Sequence, residues 1–375
     1  MPSAGAPRTA HRVMFALAMA AATPMAQAAV GIWTTSEELA SRPVSGPAWE
    51  NVLAAANKAT GSLDLSNQDD PANVVVLAKA LVYARTRTES YRQDVIAAIQ
   101  TVATGNTESG ARTLALCREL GAYVVAADLV GLPADLDASF RTYLANVRVE
   151  TMTDGRNLIQ THEERPNNWG PHCGFTRSAI ARYLGDTTDL QRAADVFRGH
   201  LGNRAVYAGF TYGDLSWQAN PAAPVGINPQ GATIQGHDVD GVIPDDQRRA
   251  GSFAWPPPKT GYSWEALQGV VASAVVLYRA GYTDVWSWEN QAIRRAVDWL
   301  HRTTFSDGSN FPAEGDDTWQ PHIVNQFYGT SYPAPVPTTA GKNMGWTDWT
   351  LSGSAPLDQP PQNVRGVRRV DTRPP

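Results

Sequence analysis

Residues 165–174 read RPNNWGPHCG, which sets two amides, an indole, an imidazole and a thiol within ten residues at the entrance to an apolar-periodic stretch. Asn167 and Asn168 can donate hydrogen bonds to charge developing on an oxygen without depending on a protonation state. His172 is an imidazole able to move a proton near neutral pH. Pro171 suits the first turn of a helix. A single Asn would suffice to cap that helix, so the second amide, Trp169 and His172 point to a site as well as a cap.

A second imidazole, His237, lies in IQGHDVDGV, where Asp238 or Asp240 could orient it. His237 is the expected general base and His172 its alternative. Arg248 and Arg249 follow closely and can grip a carboxylate through paired N–H donors. The chain has 12 Trp, and Trp169, Trp217, Trp255, Trp264 and Trp319 fall in segments suited to form a cleft, where an indole can stack on the C–H face of a sugar ring. Near the end, AEGDDTWQPHIVNQFYG supplies Glu314, Asp316, Asp317 and His322. They could hold a structural divalent cation through oxygen ligands or cap the following helix. Capping is the expectation, and the chemistry read here requires no cofactor.

The elements that must position these residues are mostly helical. Apolar residues recur at spacings of three and four over Trp49–Ala59, Ala72–Arg85, Ser90–Val102, Arg112–Leu129, Leu136–Val149, Thr176–Leu184, Leu190–Leu201, Trp264–Arg279 and Ser287–Thr303. Three stretches resemble one another: LVYARTRTESYRQDVIAAIQTV, IARYLGDTTDLQRAADVFRGHL and VLYRAGYTDVWSWENQAIRRAVDWL. Each is a helix ending near an aromatic, a short turn and a second helix, an αα hairpin. Such hairpins bury their apolar faces only by stacking. Their uneven spacing favours an all-α fold of the (α/α) toroid kind, an incomplete barrel of hairpins, over an open solenoid. The long interruption from Asn203 to Tyr262 is expected to be ordered and functional, with short strands near Ala205–Tyr212.

The decapeptide, the hairpins, SWEALQGV and the ending GKNMGWTDWT together resemble the (α/α)-toroid polysaccharide lyases, a superfamily that includes alginate, glucuronan, chondroitin and heparin lyases. The resemblance spans most of residues 45–350. Trp169 follows the Asn pair here, where alginate lyases of this fold often place His. A uronate lyase removes the C5 proton α to a carboxylate and expels the 4-linked sugar by β-elimination. It must therefore stabilise an enediolate, which gives Asn168 its expected role. The resemblance implies a tyrosine acid, and Tyr262 in KTGYSWEALQG is the candidate, with Tyr212 and then Tyr207 in reserve. Arg249 joins the expected catalytic set. Asn167, Trp169, Tyr212, Arg248, Trp264, Glu265, Trp319 and His322 are the expected substrate contacts.

Arg8 and Arg12, the apolar run Val13–Ala22 and Ala26-Gln27-Ala28 read as a signal peptide over residues 1–28. That run is short of the roughly 20 residues a membrane-spanning helix needs, so no membrane partner is expected and the chain should be periplasmic or secreted. Residues 354–375, rich in Pro and Arg, read as a disordered tail, leaving residues 29–353 as one catalytic domain. The chain has 31 Lys+Arg and 36 Asp+Glu. Two Arg fall in the leader and four Arg and two Asp in the tail, so the part between carries 25 basic against 34 acidic residues. This balance argues against nucleic acid. An acidic polysaccharide then needs a locally basic groove, from Arg248, Arg249, Lys259 and Arg165. Cys117 and Cys173 permit one disulfide in an oxidising compartment or two buried thiols. The sequence holds no signal for an oligomeric state.

The main expectation is thus a lyase for a 4-linked uronan such as glucuronan or alginate. An inverting glycoside hydrolase on the same kind of toroid is the alternative, using two of Glu265, Asp240, Asp214 and Glu314. A non-catalytic periplasmic glycan-binding protein is the third.

Overall fold

Helices that are apolar on every side must be surrounded by others, and the sequence supplies several. The computed structural model describes Met1 and residues 29–352. The rest of the expected leader and the expected tail 354–375 lie outside the described residues. In chain order the helices are α1 (Ser36–Ala40), α2 (Pro47–Ala56), α3 (Ala72–Thr86), α4 (Glu89–Thr104), α5 (Thr113–Val130), α6 (Ala134–Val147) and α7 (Leu158–Glu164). There follow α8 (Trp169–Leu184), α9 (Thr187–His200), α10 (Pro244–Gln247), α11 (Tyr262–Arg279), α12 (Trp288–Arg302), α13 (Gln320–Tyr328) and α14 (Thr347–Thr350).

Every residue of α5 is buried, as are nearly all of α3, α8 and α11. These four pack side by side: α3 on α5, α5 on α8, α8 on α11. Helices α4, α6, α9 and α12 each bury one face and leave the other polar. Beyond α11 the contacts run to α13, then α14, then α2, which returns to α3. The fold is all-α, as expected.

Two glycines set how closely the inner helices approach. A Cβ on Gly121 of α5 would stand 2.4 Å from the Phe175 ring, and one on Gly269 of α11 would stand 2.3 Å from the Pro171 backbone. Side chains there would push α5 and α11 off the N-terminal half of α8, so these glycines draw Arg118 and Glu265, each about one turn earlier, against His172. A disulfide between Cys117 and Cys173 ties α5 to α8 at the same level, closing the question the sequence left open.

The long insertion is ordered, but strands do not form at Ala205–Tyr212. That segment instead folds around an aromatic cluster, with Phe210 edge-on to Tyr207 at 5.0 Å and to Tyr212 at 6.2 Å. The strands that do form are β1 (Thr233–Ile234) and β2 (His237–Asp238), an antiparallel pair with Ile234 opposite His237. Gln235 and Gly236 both have positive φ, the geometry of a type I′ hairpin turn.

Glu119 on α5 is buried near Asp70, and burial first, then that neighbouring carboxylate, push its carboxyl up to about 10. A group raised in the folded state gives stability that is present below its unfolded value and is lost as pH rises toward the folded one. Glu119→Gln removes this dependence. Its stability relative to wild type is therefore expected to improve from about pH 5 to pH 9, by up to about 1.4 kcal/mol per pH unit. Urea unfolding at both pH values checks this; a pH-independent difference would show that Glu119 ionises normally.

Candidate functional site

The N-terminal turns of the four inner helices lie together. The Asn73 amide on α3 donates to the Arg118 carbonyl on α5 at 3.3 Å and to the Lys342 carbonyl at 2.8 Å. Arg118 in turn pairs with Glu265 on α11, and His172 Nε2 on α8 stands 3.8 Å from the same carboxylate oxygen. Charge is thereby concentrated where helix dipoles favour anions.

The Asn pair is not spent on capping. Asn168 holds the N-cap position of α8, yet its side chain makes no cap hydrogen bond. Its backbone N–H donates to Asp246 Oδ1 on α10 at 2.9 Å. Both Asn side-chain oxygens are buried without a hydrogen-bond partner, as are Asp246 Oδ2 and His172 Nε2. Unsatisfied buried polar atoms are costly, and four gathered at one helix entrance mark a place built for something besides stability.

Protonation states follow from the surroundings. Burial pushes the His172 imidazole down to about 4, against the opposing pull of Glu265, so it is neutral at neutral pH. Burial alone would raise Glu265, but His172 and Arg118 outweigh it and hold the carboxyl below its ordinary range. Asp246, wholly enclosed, is pushed well above the usual range by burial. Asp317 is raised likewise by burial, with Asp316 and Glu265 adding to it, although it accepts from Gln268 at 2.9 Å and Gln320 at 3.0 Å.

Around this interior runs a basic, aromatic rim. The guanidiniums of Arg112 and Arg165 each lie 4.9 Å from the Trp169 ring centroid, and that of Arg249 lies 3.9 Å from the ring of Tyr262. None of the three has an ion-pair partner among the described residues. Tyr262, the first residue of α11, is 38% exposed, and Glu265 lies one turn inside it. Asp246 and Arg249, three residues apart, bracket the link from Asn168 to Tyr262.

Other expected site residues stand elsewhere or are engaged. His237 stacks on Trp255 at 4.6 Å, and its neighbours Asp238 and Asp240 are taken by Arg302 and Arg295. None of its contacts reaches Asn168, His172 or Tyr262. Arg248 is held by Asp245 at 2.7 Å and is not free to clamp a ligand. Lys259 pairs with Asp307. Trp217, Trp264 and Trp319 are buried in the core and present no face to a sugar; Trp264 donates to the Phe311 carbonyl. Tyr207 is buried and donates to the Glu163 carbonyl, while Tyr212 stays with Phe210.

The acidic ending does not converge either. His322 Nε2 sits 3.0 Å from the Pro335 carbonyl, Asp316 lies 3.6 Å from Lys342, and Asp317 takes the two glutamines. Among the described residues no group of three His, Cys, Asp or Glu is arranged to hold a metal ion, and no helix is long and apolar enough to cross a membrane. A separate apolar pocket lined by Trp33, Val275, Tyr278, Ile323 and Phe327 lies along the C-terminal half of α11 and includes none of the candidate residues.

Sequence reasoning missed Arg118, Asp246, Lys342 and Asn343. Arg118 left one signal: Arg118-Glu119 is a charged pair inside an otherwise apolar helix, and a buried charge is retained only where it is paired. The chain matches no known protein-family model and no characterised protein at significant similarity.

Proposed function

We propose that this chain is a periplasmic or secreted polysaccharide lyase that cleaves a 4-linked uronan by β-elimination, on an incomplete (α/α) toroid. The circuit of helix contacts from α3 through α11, α13 and α14 back to α2 is what such a toroid requires. One observation carries the reading: an uncapped Asn pair and a neutral histidine lie at the convergent helix N-termini, under a rim of three unpaired guanidiniums, Trp169 and Tyr262. Despite the acidic balance of the chain, that rim is locally basic, and over a screening length of about 8 Å local charge decides.

In this reading the rim guanidiniums engage the carboxylates of the polymer. Asn168 acts as a neutral donor toward the carboxylate of the reacting unit and is worth most as its charge grows, with neutral His172 beside it. Tyr262, open to the rim beside Arg249, takes the C5 proton as the phenolate and hands that proton to O4 as the C4–O bond breaks. One residue can do both only where H5 and O4 share a face of the ring, as they do in D-glucuronate and D-mannuronate. His237 has no part in the chemistry.

The test is near-ultraviolet absorbance of the protein incubated with glucuronan, alginate, chondroitin and a neutral glucan, because only β-elimination creates a conjugated unsaturated uronate. Absorbance is expected to rise with a uronan, to fall by at least about 10²-fold in rate in Tyr262→Phe, and to persist in His237→Ala. Wild-type rates in Tyr262→Phe would remove Tyr262 from the reaction.

One observation favours a second reading. The Glu265 carboxyl is held below its ordinary range by His172 and Arg118 while that of its neighbour Asp317 is pushed well above it by burial, the direction of split that base and acid need in an inverting hydrolase. New reducing ends without absorbance, lost in both Glu265→Gln and Asp317→Asn, would put the hydrolase in place of the lyase.

A further inference from the structure

Residues 339–346 form a strap across the N-terminal ends of the inner helices. The strap is pinned on three sides: the Lys342 backbone N–H donates to Gln268 Oε1 at 3.0 Å, its carbonyl accepts from Asn73 at 2.8 Å, and its ammonium pairs with Asp69 at 2.6 Å. A tight turn brings the Gly341 N–H to the Met344 carbonyl at 2.5 Å, and Trp346 closes the strap with φ of 55°. Its tip, Asn343, is fully buried, with Nδ2 3.4 Å from His172 Nδ1.

We propose that Asn343 is a positioning residue that fixes the proton of His172 on Nε2, so that this histidine serves the site as a neutral hydrogen-bond donor and not as a base. Which end of the amide is nitrogen follows from the other side of the ring. Nε2 faces the Glu265 carboxylate oxygen at 3.8 Å. With the Asn343 amide N–H toward Nδ1, that face presents an N–H to a carboxylate. With the amide reversed, Nδ1 would carry the proton and the Nε2 lone pair would oppose the carboxylate, two acceptors face to face in a buried site.

The charged groups facing the ring are Glu265 from α11, Arg118 from α5 and Lys342 from the strap itself. Arg118 and Lys342 both resist a positive imidazolium, in line with a ring that stays neutral and whose tautomer is therefore a fixed property. Held this way, the imidazole turns its one N–H toward Glu265 and leaves Asn168 as the neutral donor of the site. The value of this arrangement to catalysis rests on the lyase reading; the tautomer does not.

The test is a long-range ¹⁵N–¹H spectrum of the imidazoles in the full chain, with His172 assigned by the signal lost in His172→Gln. Wild type is expected to show the Nε2–H tautomer at neutral pH. Asn343→Asp, whose carboxylate when ionised can only accept, is expected to place a proton on Nδ1 and to lower kcat on the order of 10²-fold, with KM little changed. A wild-type Nδ1–H signature, or an unchanged His172 signature in Asn343→Asp, would overturn the proposal, and the wild-type spectrum decides even if the variant fails to fold. The expected tautomer in a protein that cleaves no uronan would leave the positioning standing and remove the lyase reading.

Discussion

Asn168→Ala is expected to lower kcat on the uronan by roughly 10²–10³-fold, the usual loss for one donor to a developing oxyanion, with KM near wild type. The side chain can be removed cleanly. What holds the chain at Asn168 is its backbone N–H on Asp246, and alanine keeps that bond. No cap hydrogen bond is lost because none is made, so no loss of a cap's stabilisation is expected. A true N-cap would behave in the opposite way, with about 1 kcal/mol of stability lost and catalysis untouched. Measuring kcat, KM and the urea midpoint on one preparation separates the two. An unchanged kcat with a lowered midpoint would return Asn168 to capping.

The pair of outcomes for Asn168 also shows what was legible in the sequence. Helical periodicity placed α3 and α5 to within a residue or so, because their apolar residues run without interruption. Periodicity alone begins α8 at Thr176, seven residues late, since Gly170 and Gly174 break the pattern, although Pro171 marks the first turn. These glycines are there for close approach: a Cβ on Gly170 would meet the Arg165 carbonyl, and one on Gly174 the His162 ring. Helix α7 was missed because seven residues carry too little period to recognise.

The motif pointed to the right helix entrance, but not to what faces it. Arg118, Asp246 and Asn343 reach it from α5, α10 and the strap, and no spacing in the chain encodes that meeting. His237 was preferred over His172 for its flanking aspartates, yet nearby arginines on α12 claim both of them. Local sequence shows which partners a residue could have; packing decides which it gets.

The largest effect on stability is expected at the disulfide. Cys117 and Cys173 are 56 residues apart, and closing a loop of that size in the unfolded chain corresponds to about 4 kcal/mol in the chain-entropy account. Cys117→Ala/Cys173→Ala should therefore lower the unfolding free energy by about 4 kcal/mol and the melting temperature by roughly 5–10 °C. Both cysteines are fully buried, so a reductant should leave the native protein unlabelled by thiol reagents and expose two thiols only after unfolding. The bond also stands beside the chemistry, with Arg118 following Cys117 and His172 preceding Cys173. If the disulfide only cross-links, the double variant at a temperature where it is fully folded keeps wild-type kcat. If it also sets the spacing of α5 against α8, kcat falls even there, because small displacements of positioned groups are expensive in catalysis. The close approach at Gly121 holds the two helices together without the bond, so the expected result is a large loss of stability with kcat retained. An unchanged melting temperature would mean that the two sulfurs are not joined in the folded protein.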